Sequence, residues 1–189
     1  MTPEPALKIS EIIALVNKLV KIEPAPSEFE LAKLDSQLRS IIDHDPVGYH
    51  SFRGVFFTLS GDYESALRHH DIALQFVPVV PDAYHIYAVS LSKMGRHRDA
   101  MHMEEKAIET GGPDIHALSG LIHNAYFANE MQVLDEWLPK FEALTGAPHE
   151  VSDWLAEDAE DIADLPAILA EAEKEGCISL YELKKELGL

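Results

Sequence analysis

Val47–Val80 reads VGYHSFRGVFFTLSGDYESALRHHDIALQFVPVV, and Pro81–Asp114 reads PDAYHIYAVSLSKMGRHRDAMHMEEKAIETGGPD. Laid over one another at a step of 34 residues, their small residues coincide: Gly54 with Ala88, Gly61 with Gly95, Ala66 with Ala100, Ala73 with Ala107. Pro78 falls on Gly112, with Pro113 one position later. A period of this length marks stacked helical units, because one unit alone cannot bury its own apolar face. In the first copy the pattern predicts a helix from about Val47 to Ser60 and another from about Tyr63 to Val77. Gly61 sits between them, where the chain must turn with positive φ. Gly54, Ala66 and Ala73 allow close approach of the helices, while Phe57, Tyr63, Leu67 and Leu74 fill the remaining space. The second copy does the same with Tyr84, Tyr87, Leu91, Met101 and Ile108.

This register resembles the tetratricopeptide repeat (TPR), two antiparallel helices per repeat. The resemblance implies a small residue at Gly54 and Ala88, and an aromatic residue or leucine at Phe57 and Leu91. It also implies the turn glycines, the four alanines and Pro78. The aromatic expected near the start of the first helix is Tyr84 in the second copy, but His50 in the first. The implied fold is all-α, a right-handed α-α superhelix.

Working outward, Ala6–Ile22 carries apolar residues at Ile9, Ile12, Ile13, Val16, Leu19 and Val20, a helical stripe. After Pro24 and Pro26, Ser27 and Glu30 form a capping-box pattern that opens a helix expected to reach Ile42. These two helices make an N-terminal hairpin over 6–44 that precedes repeats at 47–80 and 81–114. A further 34-residue step gives a degenerate repeat over 115–148. There Asn129 replaces the turn glycine, Leu134 and Phe141 replace alanines, and Pro139 is expected to kink or shorten the second helix. A helical domain over 6–149 is thus followed by a tail over 150–189. That tail holds twelve acidic residues against Lys174, Lys184 and Lys185.

The chain of 189 residues has a formal net charge of −18, which disfavours phosphate backbones and anionic lipid and favours basic partners. Cys177, the single cysteine, excludes an intrachain disulfide and fits a reducing compartment. With neither a leader pattern nor a long apolar run, the chain reads as cytoplasmic.

The TPR resemblance implies a ligand groove lined mainly by the first helix of each unit. Carried over, it comprises Ser51, Val55, Asp82, His85, Val89, His116, Ser119, His123 and Tyr126. A clamp for peptide carboxylates would need lysine, asparagine and arginine at several of these places, so that specificity is absent. The surface either receives a peptide or protein segment or is covered by the chain's own tail. Ten histidines occur without zinc-ligand spacing, and neither a phosphate loop nor a nucleophile elbow is present. No metal, cofactor or catalytic residue is therefore assigned, and a non-enzymatic interaction module (adaptor or chaperone-like) is expected.

At the C-terminus, Ser179 and Glu182 form a second capping-box pattern before Leu180, Leu183 and Leu187, one apolar face of a short helix. From about Glu157 to Leu189, an acidic helix, a break at Gly176 and then Ile178–Leu189, the chain resembles the toxin-binding tail of RelB/StbD-type antitoxins. That resemblance implies an alternative function, neutralising a small basic toxin. Otherwise these helices cap the last repeat.

Overall fold

The computed structural model describes residues 5–20 and 26–159. Among these residues all regular structure is helical and no strand occurs. The helices are α1 Pro5–Val20, α2 Glu28–Leu38, α3 Pro46–Leu59, α4 Tyr63–Ala73, α5 Pro81–Lys93, α6 His97–Gly111, α7 Ile115–Phe127 and α8 Met131–Thr145. Residues 151–159 are also helical. The chain divides into two compact units, Met1–Gly146 and Ala147–Leu189. In the second, the Val151 amide donates to Nδ1 of His149 at 3.2 Å.

Local chemistry sets the helix starts. The α2 capping box forms as the sequence predicts: the Ser27 side chain accepts from the Glu30 amide, and the Glu30 carboxylate accepts from the Ser27 amide. Asp45, Asp62 and Asp114 cap α3, α4 and α7 through their side chains, and Pro46 and Pro81 occupy first turns where no amide hydrogen is needed.

The turns inside successive helix pairs share one geometry at 34-residue intervals. Gly61, Gly95 and Asn129 have φ of 78°, 72° and 57°. Beside them the amides of Asp62, Arg96 and Glu130 donate to the carbonyls of Phe57, Leu91 and Ala125, each at 2.9 Å. Asparagine can substitute at the third turn because its short polar side chain tolerates left-handed backbone. Three-residue connections fold each helix back on its predecessor.

Packing follows the chain. α3 packs on α4, α5 on α6 and α7 on α8, while α3 also meets α5 and α5 meets α7. α1 packs against α2 and α3, joining Ile12, Val16, Leu19, Leu34, Leu38, Ile41, Phe52 and Val55 in one buried cluster. A second cluster sets Ala88, Leu91 and Ala100 together, with Leu67 and Tyr87 against it. The alanines sit where helix axes must come close, and burying the larger residues supplies about 25 cal/mol per Å² of apolar surface.

Boundaries differ from the sequence expectation in three places. α2 stops at Leu38, and residues 39–44 form turns that still bury Ile41. α4 ends at Ala73 rather than near Val77. α8 is not shortened by Pro139: it runs through that residue to Thr145, on a face where Pro139 and Lys140 are exposed. An exposed ring position leaves the carbonyl that lacks its amide partner within reach of water.

Candidate functional site

Within the first unit lies a cavity of about 760 Å³. Its apolar wall comprises Ile13, Val16, Phe52, Val55, Ile86, Val89 and Ile115, and its polar rim Asp82, His85, Asp114 and His116. The first helices of three successive pairs thus contribute, and α1 closes one side. They converge because α3, α5 and α7 are neighbours, so residues at matching heights turn the same way.

His85 is the polar centre. Its Nδ1 lies 3.0 and 2.9 Å from Oε1 and Oε2 of Glu104 on α6. Glu104 is only 1% exposed, whereas 29% of the His85 side chain remains open. Burial pushes the Glu104 carboxyl up to about 7, against the lowering effect of His85. Burial pulls His85 the other way, but the hydrogen bond and charge of Glu104, helped by Asp114 and Asp82, leave it above its ordinary value. The pair therefore holds a proton near neutrality. With Nδ1 committed to Glu104, Nε2 is the nitrogen left for the cavity. The His116 ring stands 6.1 Å from that of His85. No lysine or arginine lines the cavity among the described residues.

Gly120 explains how a full carboxylate fits under α7: a Cβ there would overlap the Glu104 carboxyl. A related arrangement occurs one pair earlier. His70 on α4 is buried beneath Gly54, where a Cβ would strike its ring, and its Nε2 lies 2.7 Å from Ser90 Oγ. Its ring stacks on Tyr87 at 4.6 Å, and burial drives its pKa down to about 3.

Of the groove residues named from the TPR resemblance, the cavity brings together Val55, Asp82, His85, Val89 and His116. Ser51, one turn before Val55, is 1% exposed and does not line it. Ser119, His123 and Tyr126 also lie away from the cavity lining. The His123 ring approaches Phe127 at 4.8 Å, and Tyr126 meets Phe127 edge-on at 5.3 Å. Leu180, Leu183 and Leu187 lie outside the described residues.

Sequence reading missed the walls formed by Ile13, Val16, Phe52, Ile86 and Ile115, the rim carboxylate of Asp114 and the buried anchor Glu104. A signal for Glu104 existed. It falls between Ala100 and Ala107 at helical spacing, on the face that those alanines mark as buried, and His70 lies likewise between Ala66 and Ala73.

His69 diverges from its neighbour His70, and its Nδ1 lies 2.9 Å from Nδ1 of His50, which requires one ring to donate and the other to accept. Arg53 lies over the Phe56 and Phe57 rings and pairs with Asp35. Among the described residues no group of three histidine, cysteine or acidic side chains is placed to hold a metal ion. Nor is any described helix long and apolar enough to cross a membrane. Comparison with protein-family models, curated proteins and solved structures gives no match.

Proposed function

We propose that this chain is a TPR-like α-α superhelix that works in the cytoplasm as a non-enzymatic interaction module. Its groove takes up a segment of a peptide or protein partner. The observation that carries this reading is the cavity of about 760 Å³ shared by Val55, Asp82, His85, Val89 and His116. Its size suits a few side chains of a bound segment, since ligand pockets span roughly 300–1,000 Å³. Apolar walls supply affinity through burial, and a small number of polar groups fix orientation. The work expected of such a site is recognition, with His85 as its oriented hydrogen-bonding group.

The test is selection of peptides from a displayed random library against the full chain, followed by titration against Val89→Trp. Tryptophan at this half-buried wall position would fill the space without disturbing the alanine contacts. Selected peptides should lose most of their affinity for the variant while its helicity by circular dichroism stays unchanged. Peptides that bind both proteins equally would place recognition elsewhere.

A further inference from the structure

We propose that the cavity selects a cationic side chain, lysine or arginine, presented from an apolar segment, with Asp82 and Asp114 receiving the charge. This rests on the groove reading above and specifies its ligand. Two observations meet here. The walls are apolar, with Phe52, Val55, Ile86 and Val89 among them, so the aliphatic stem of a long side chain has surface to cover. The rim is electronegative: Asp82 and Asp114 border the space, both carboxylates raise the proton affinity of His85, and no lysine or arginine lies among the described lining residues. Asp114 caps α7 through Oδ1, which accepts from the amides of His116 and Ala117 at 2.7 and 3.2 Å. Oδ2 is the oxygen outside that cap.

Glu104 strengthens the case by its own engagement. Its charge is matched by His85, so it does not call for an external cation. Asp82 and Asp114 act on His85 only through space, and a bound ammonium or guanidinium would give them a direct partner. An anionic ligand would meet the same two carboxylates as repulsion, which gives the groove selectivity against acidic segments.

The probes are library-selected peptides and, for each, an analogue with norleucine replacing lysine or arginine, which keeps the stem and removes the charge. Binding is measured to the wild-type chain, to Asp82→Asn/Asp114→Asn and to Val89→Trp. Asparagine keeps the cap of α7, so folding is preserved. The expected result is enrichment of lysine or arginine between apolar residues. Binding should weaken about tenfold in the double asparagine variant, and the norleucine analogue should bind wild type and variant alike. Selected peptides that are lost in Val89→Trp, yet lack a cation or ignore the asparagine pair, would overturn the cation assignment and leave the groove standing. Indifference to Val89→Trp would remove the groove itself, and this inference with it.

Discussion

His70 on α4 and Glu104 on α6 lie 34 residues apart, each between two alanines of its helix and each under a glycine of an adjoining one. Their environments nonetheless diverge. His70 reaches forward to Ser90 and stacks on Tyr87, a setting that keeps it neutral. Glu104 reaches back to His85 and remains part of a proton-holding pair beside open space. One position on the helix thus serves as sealed packing in the first case and as the buried anchor of a cavity-lining histidine in the second. What decides between them is the neighbour on α5: a hydroxyl accommodates a neutral ring, whereas an imidazole can match a carboxylate.

The largest expected effect breaks the charged member. His85→Ala leaves the Glu104 carboxylate buried without its partner, and should cost about 3 kcal/mol near pH 8 by urea titration, and less near pH 5, where the carboxyl takes up a proton. The neutral member should be far less sensitive: Ser90→Ala removes one hydrogen bond at about 1 kcal/mol. Equal costs would show that the two sites do not differ in charge.

The glycines give the next test. Gly54→Ala forces a methyl into a ring fixed by Ser90 and Tyr87, and should destabilise by about 2 kcal/mol in the same titration. Gly120→Ala meets the end of a longer stem, so the Glu104 carboxylate can yield by leaving His85. Its signature is therefore a fall in the pKa of His85, read by NMR, rather than a large loss of stability.

Acid should separate the regions further. His69, lowered to about 4, and His70, lowered to about 3, owe these values chiefly to burial, as does the smaller fall at His50. The stability these groups contribute is present above 6.5 and lost as pH falls toward their folded values, with a slope of at most about 1.4 kcal/mol per pH unit for each. His85 has the opposite sign. The proton it shares with Glu104 is one that the unfolded chain gives up above 6.5, so the stability tied to that proton declines as pH climbs through the raised values of the pair. A chain carrying His70→Gln should show a shallower acid limb and an unaltered alkaline one.

Ser27→Ala is the smallest change and the control. It removes one end of the α2 capping box, remote from both polar sites, and should lower stability by about 1 kcal/mol near neutrality, where Glu30 stays ionised.

Helix pairs, turn positions and the α2 cap were legible because each depends on residues close in sequence. Gly61, Gly95 and Asn129 mark turns by backbone requirement alone, and Ser27 with Glu30 forms a cap within one helical turn. The cavity was legible in part: Val55, Asp82, His85, Val89 and His116 follow from the periodic resemblance. Its closure by Ile13 and Val16 was not, because the approach of α1 is a tertiary fact unmarked by period. Ser51 illustrates the same limit: it is as buried as Val55 one turn on, and nothing in the period tells which of the two lines the cavity. The Glu104–His85 contact joins residues 19 positions apart and depends on the gap at Gly120, on a third helix.

Those gaps also restrict how the gene can be rearranged. Doubling the block 47–80 would set Phe56 where Ser90 now answers His70, and doubling 81–114 would set Ile86 where Gly120 now clears space for Glu104. Each joint is keyed to one successor, so the array cannot gain a rung by simple copying without a compensating change at the new seam.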